Sequence, residues 1–268
     1  MSCIKEIFFQ LKEECRGAYI PYICVGDPDM DFTLKLVRAL AANGADIFEF
    51  GIPFSDPIAD GRVIQGAMAR SLLNRTGVVD VLGLIRSIKE EGIKQPAVVM
   101  SYLNPILQYG EERFCCDLAA AGADGILIVD QPPEESAELE RYAEENGLDI
   151  IRLVAPTTSD ERMKMILQKA SGYVYAVAVA GVTGLRESVS VEAVELLRKL
   201  SELTELPVVL GFGISRPEHV RAAVENGAAG IIEGSNLISI YSSANNPIYA
   251  ISRHVEEMVS MLPRQTQC

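Results

Sequence analysis

Eight short apolar, β-branched runs recur along this chain, each separated from the next by a longer amphipathic stretch. They are "AYIPYIC" (18–24), "DIFEFG" (46–51), "AVVMS" (97–101), "GILIV" (125–129), "DIIRLV" (149–154), "YVYAV" (173–177), "PVVLG" (207–211) and "GIIEG" (230–234). Strands that are apolar on both faces and alternate with helices belong to a parallel sheet covered by those helices. "DFTLKLVRALAANG", "EESAELERYAEENG" and "RPEHVRAAVENG" have helical periodicity, and Gly44, Gly122, Gly147 and Gly227 stand where a left-handed C-cap ends a helix before the next strand. Eight such units predict an α/β fold, a closed (βα)8 TIM barrel, with an open doubly wound sheet as the alternative. The first fifteen residues read as an extra amphipathic helix closing the barrel's lower end. "SNLISIYSS" reads as a short additional helix after strand eight, and "NNPIYAISRHVEEMVSML" as a closing helix with an Asn-Pro start.

Composition narrows the rest. Barrels of this kind take about 250 residues as one domain, and no linker or low-complexity tract divides residues 1–268, so a single domain is expected. The formal net charge of −13 argues against nucleic acid or an anionic membrane as partner, so an anionic substrate must be held locally. The N-terminus lacks the apolar core of a signal peptide. The longest apolar stretch, residues 172–182, falls far short of the roughly 18 residues a membrane span needs, and a cytoplasmic location is expected. Cys3, Cys15, Cys24, Cys115, Cys116 and Cys268 show no C-x-x-C spacing and read as reduced, mostly structural thiols.

The stretch "FEFGIPFSDPIADG" (48–61) carries an acid inside a strand. Alternation sends Phe48 and Phe50 toward the covering helices and Glu49 into the barrel, near the strand's C-terminal end, where barrel enzymes keep their chemistry. Lost hydration raises the pKa of such a carboxyl toward neutrality. The plainer reading is a buried acid satisfied by backbone donors, or a surface acid in a shifted register. Asp60 sits on the loop that returns over the barrel mouth; its plainer role is to cap the helix beginning near Arg62. The only histidines, His219 and His254, lie away from strand ends, and no His/Cys/Asp cluster has metal-ligand spacing. Carboxylate-based proton transfer is therefore the expected chemistry. Ile52, Phe54 and Ile58 make the loop apolar, which suits either a docking surface or packing beneath it.

A phosphate site is expected where strand seven runs into "GFGIS" (211–215) and strand eight into "GSN" (234–236), because glycines and a helix N-terminus present backbone N–H groups to an oxyanion. Two tight turns are the alternative. "GVTGLRES" (181–188) is Gly-bracketed and long enough to act as a lid. Tyr22, Met100, Leu127 and Phe212 stand at or just past strand ends and line a flat apolar pocket or fill the core.

These motifs together resemble the tryptophan synthase α subunit family: "FEFGIPFSDPIADG" matches its signature, while "PYICVGDP", "SYLNPI", "GVTG", "GFGIS" and "EGSN" follow in its order and spacing. The resemblance covers nearly the whole chain. It implies a cofactor-free lyase that splits indole-3-glycerol phosphate into indole and glyceraldehyde 3-phosphate by retro-aldol chemistry. By motif, Glu49 is the acid/base and Asp60 accepts the indole N–H. Tyr175 and Thr183 orient the substrate and Asp60, Ile232 faces the substrate, and Gly184, Gly213, Gly234 and Ser235 hold the phosphate. The resemblance further implies a pyridoxal-phosphate β subunit as partner, in an α2β2 assembly, met by Pro53, Phe54, Asp56, Pro57 and Asn104.

Three positions depart from the family's pattern. Arg62 replaces a usual proline and either pairs with Asp60 or sits on the first helical turn. Val179 stands where polar residues are common. Glu233 precedes the phosphate-binding Gly-Ser; a carboxylate about 6 Å from a phosphate costs roughly 0.7–2.8 kcal/mol per unit charge, so Glu233 is expected to point outward. Competing readings are a phosphosugar isomerase or aldolase, which needs a Lys or His at a strand end, and a regulatory subunit without catalysis, which predicts a lost acid. A lyase that works alone to release free indole also remains open.

Overall fold

A computed structural model describes residues 2–177, 190–211 and 213–263. The strands are β1 (Ala18–Cys24), β2 (Phe48–Gly51), β3 (Ala97–Ser101), β4 (Gly125–Ile128), β5 (Asp149–Val154), β6 (Val174–Val177), β7 (Val208–Gly211) and β8 (Gly230–Glu233). All pair in parallel in sequence order, and β1 also pairs with β8. That last pairing closes the barrel and excludes the open sheet, because no strand keeps an unpaired edge.

Twelve helices are described: α1 (Cys3–Glu13), α2 (Met30–Ala42), α3 (Arg62–Leu73), α4 (Val78–Glu90), α5 (Leu103–Tyr109), α6 (Glu111–Ala121), α7 (Ala137–Glu145), α8 (Asp160–Gln168), α9 (Val191–Leu203), α10 (Pro217–Glu225), α11 (Ser235–Ser243) and α12 (Pro247–Val259). Their ends follow local chemistry. The Asp29 carboxylate accepts the Phe32 N–H at 2.7 Å to start α2, and Asn246 with Pro247 starts α12. Gly122 ends α6 at φ +92°, a left-handed conformation that L side chains avoid. Among the described residues no helix is long and apolar enough to cross a membrane. Cys3, Cys15, Cys24, Cys115 and Cys116 are free thiols, and Cys268 lies outside the described residues.

β1, β3 and β5 match their apolar runs, and the other five strands are shorter than theirs by one or two residues. β2 starts at Phe48 because the Asp46 side chain is engaged elsewhere: it accepts the Tyr19 N–H at 2.9 Å and two hydrogen bonds from the Arg16 guanidinium. β7 starts after Pro207, which has no N–H to give.

The amphipathic N-terminus forms α1, burying Ile4, Phe8 and Leu11. Phe8 meets Tyr173, just before β6, with ring centroids 5.9 Å apart. Ile4 lies within 3.3 Å of where a Cβ on Gly125, the first residue of β4, would stand. Both contacts are at strand N-termini, so α1 closes the lower end and leaves the C-terminal mouth for chemistry.

Candidate active site

Inward-facing residues of the strands and the loops above them enclose a cavity of about 250 Å³ at the barrel mouth. Glu49 enters it from β2, in register with Tyr22 on β1 and Val98 on β3. It is fully buried, while Phe48 and Phe50 pack together on the outer side at 5.6 Å. Oε1 accepts a hydrogen bond from the Tyr173 hydroxyl. Oε2 is buried with no partner among the described residues. Burial pushes the carboxyl up to about 7, against the smaller opposing effect of the Tyr173 hydrogen bond. Backbone donors do not satisfy this acid. One oxygen is anchored and the other is open, near a pKa at which it both gives and takes protons.

Asp60 lines the same cavity at 7 % exposure. The N-cap of α3 is Gly61 and no side chain caps that helix, so the simpler role for Asp60 is not the one found. Its Oδ2 accepts from the Tyr102 hydroxyl at 2.7 Å, and that hydroxyl itself accepts the Ala59 N–H at 3.0 Å. The Asp60 carbonyl is held by the Gln65 side-chain amide at 2.8 Å. Burial raises the Asp60 carboxyl and the Tyr102 hydrogen bond opposes the rise. Arg62 lines the cavity from the first turn of α3 and, among the described residues, makes no ion pair with Asp60.

Tyr22, Met100, Tyr175 and Ile232 supply the apolar wall. Among the described residues the Tyr22 hydroxyl is buried without a hydrogen-bond partner. It fills the notch left by Gly51, where an added Cβ would lie 2.2 Å from the oxygen. Leu127 is fully buried on β4, in register with Met100 and Ile151 on the inward face, behind the described lining of the cavity. The far wall is Gly213, Ile214, Gly234 and Ser235. Gly213 has φ +81°, and a Cβ on Gly234 would crowd the Tyr22 ring at 3.1 Å. Glu233 does point outward, away from this wall. Thr183, Gly184, Phe212, Val179 and the lid segment 181–188 lie outside the described residues.

The loop after β2 divides differently from its composition. Ile52 and Pro53 are buried, and Phe54 packs its ring 5.2 Å from Tyr102. Only Ile58 of the three apolar residues stands open, at 85 % exposure, beside exposed Asp56 and partly buried Pro57. Asn104 and Leu107 on α5 are exposed as well.

Tyr173 and Tyr102 escaped sequence reasoning although each holds one of the two acids. For Tyr173 a signal existed: in "YVYAV" it shares the inward parity of Tyr175. Tyr102 offered none, since it lies just past β3 and 42 residues from Asp60.

Comparison with known proteins gives one consistent result. A family model described as tryptophan synthase alpha chain matches residues 8–266. The tryptophan synthase alpha chain of Gluconobacter oxydans is 46 % identical over 246 residues, which is 92 % of this chain and 91 % of that one. The one from Carboxydothermus hydrogenoformans is 47 % identical over 240 residues, covering 90 % and 89 %. The crystal structure of tryptophan synthase subunit alpha from Legionella pneumophila str. Paris superposes with a TM-score of 0.89 at 38 % identity, covering 97 % of this chain and 98 % of that one.

Proposed function

We propose that this chain, which belongs to the tryptophan synthase alpha chain family, is a lyase that cleaves indole-3-glycerol phosphate to indole and glyceraldehyde 3-phosphate. The observation that carries the reading is that two buried carboxylates in different environments, Glu49 and Asp60, share one cavity whose far wall is built of Gly213, Gly234 and Ser235.

The bond to be broken joins the indole ring to a carbon bearing a hydroxyl. Its electrons need a sink, and the ring becomes one only after protonation at the carbon that carries the side chain. Protonated Glu49, whose Oε2 has no partner among the described residues, gives that proton. Asp60, ionised and fixed by Tyr102, accepts the ring N–H and stabilises the positive charge that then develops on nitrogen. Glu49, now a carboxylate, takes the hydroxyl proton as the carbon–carbon bond breaks, its electron pair returns to the ring, and the aldehyde forms. The proton lost to carbon is replaced by the hydroxyl proton, so the enzyme ends as it began. The backbone N–H groups after β7 and at the start of α11 hold the phosphate.

No step needs a cofactor from this chain. Exposed Ile58, Asp56, Asn104 and Leu107 face a β subunit, which carries pyridoxal phosphate and consumes the indole in an α2β2 assembly. The same reading puts the chain in the cytoplasm. The test is indole release from indole-3-glycerol phosphate by the purified chain, with and without a β subunit. Glu49→Gln is expected to abolish turnover while substrate still binds. Near-normal turnover in that variant overturns the assignment.

A further inference from the structure

A buried polar cluster lies outside the cavity, on the outer face of β8. Glu233 is 1 % exposed and takes three hydrogen bonds: from the Tyr19 hydroxyl to Oε2 at 2.6 Å, and from the Asn236 amide and His254 Nε2 to Oε1 at 2.7 and 2.8 Å. The Asn236 amide has a second N–H, and it donates to the Ser215 carbonyl at 3.3 Å. The Ser215 N–H in turn faces His219 Nδ1 at 3.4 Å. Asn236 lies in the first turn of α11, next to Gly234 and Ser235, and Ser215 follows Gly213 and Ile214. One side-chain amide therefore ties together the two separate backbone segments that form the far wall of the cavity.

We infer that Asn236, Glu233 and His254 are positioning residues that set the phosphate end of the site, an inference that rests on the reading of that wall as the phosphate site. Backbone donors spread over two segments grip one oxyanion well only when the separation of the segments is already fixed; otherwise binding free energy goes into ordering them. Asn236 fixes the separation, Glu233 fixes Asn236, and Tyr19 and His254 hold Glu233. The acid nearest the phosphate by sequence is thus turned away, with its oxygens committed to three donors. Like charge beside the anion is avoided, and the same carboxylate braces the anion's binding wall.

The experiment measures inorganic phosphate affinity by calorimetry, and in the reverse condensation the KM for glyceraldehyde 3-phosphate against the KM for indole. Asn236→Ala is expected to weaken phosphate and raise the aldehyde KM roughly tenfold, while the indole KM moves less than about twofold. Glu233→Gln keeps an acceptor for Asn236 and is expected to stay within about threefold of the parent, whereas Glu233→Leu loses as much as Asn236→Ala. The two losses do not add in the double variant. Should Asn236→Ala fail to fold, His254→Ala on partly exposed α12 tests the same chain of contacts, with a smaller loss in the same direction. Unchanged phosphate affinity in these variants, or equal losses for phosphate and indole, overturns the inference. Gly234→Val separates this from the underlying reading: if it too leaves phosphate binding intact, the far wall is not the anion site and both fall.

Discussion

The Tyr173 hydroxyl donates to Oε1 of Glu49, across 124 residues of sequence and the full width of the barrel interior, and leaves Oε2 as the only unheld oxygen of that acid. A hydrogen bond to the charged form lowers a carboxyl's pKa, so this contact restrains a rise that burial causes. In Tyr173→Phe the restraint is gone and the Glu49 pKa climbs above about 7. Because the first step of the proposed mechanism uses protonated Glu49, the alkaline limb of the pH profile for kcat/KM is expected to move to higher pH. An unmoved limb means that Glu49 is not the group titrating there.

The same raised pKa has a stability consequence. Unfolded, the Glu49 carboxyl titrates near its model value of 4.5; folded, near about 7, so between these values the native state binds more protons than the unfolded one. Stability from this group is fully present below 4.5 and is lost as pH rises through about 7. Glu49→Gln removes the buried charge. It is expected to be more stable than the parent at pH ~8 by roughly 1–3 kcal/mol, with the gap closing toward pH ~4.5. Thermal melts of both proteins across that range check the sign.

Asp60 depends on Tyr102 in a comparable way. Tyr102→Phe removes the donor at 2.7 Å and leaves the Ala59 N–H without its acceptor. Burial then acts on Asp60 unopposed, its pKa rises further, and less of it is ionised at a given pH. The acid limb of the profile is expected to shift upward, so that kcat/KM falls relative to the parent most strongly on the acid side. A variant with the parent's acid limb shows that Asp60 does not set it.

The barrel was legible because its signals are local. A parallel strand covered on both faces must be apolar throughout, and a helix between two strands must show its own period, so β1 to β8 stand out in a single pass. Glu49 was legible for the same reason, since alternation alone sends it inward between Phe48 and Phe50. Closure was expected from the count of eight units but not decided by it, because the β1–β8 pairing that decides it joins residues more than 200 apart. The tyrosines holding the two acids are partners only in space: parity placed Tyr173 inside without naming Glu49 as its partner, and nothing pointed to Tyr102. Leu127 marks the reach of parity: an inward position on β4 puts a side chain in the interior without saying how near it comes to a substrate. Loop composition misleads likewise, since Ile52 and Ile58 are alike in sequence but one is buried and the other open.

Tyr22 and Gly51 form a matched pair. A Cβ at position 51 would stand 2.2 Å from the Tyr22 hydroxyl oxygen and 2.6 Å from the ring carbon behind it. Gly51→Ala therefore forces the ring into the cavity, and KM is expected to rise at least about tenfold. Tyr22→Phe in that background relieves the shortest contact and recovers part of the loss. Alone, Tyr22→Phe deletes a buried hydroxyl that has no partner among the described residues. Ligand-free melts are expected to show no destabilisation and up to about 1 kcal/mol of gain. Destabilisation there shows that the hydroxyl is engaged in the empty protein.

Ile58 is the one large apolar side chain on the β2 loop left in solvent, at 85 % exposure, and it sits two residues before Asp60. An exposed isoleucine gains only when something covers it, and a partner docking there reaches the loop that carries the second acid. Ile58→Asp leaves the cavity untouched, so indole release by the chain alone is expected to stay at the parent's rate. In the presence of the β subunit the concentration needed for half-maximal stimulation is expected to rise about tenfold, as for loss of an apolar anchor. Unchanged stimulation moves the docking surface away from this loop, toward Asn104 and Leu107 on α5, where Leu107→Asp repeats the measurement.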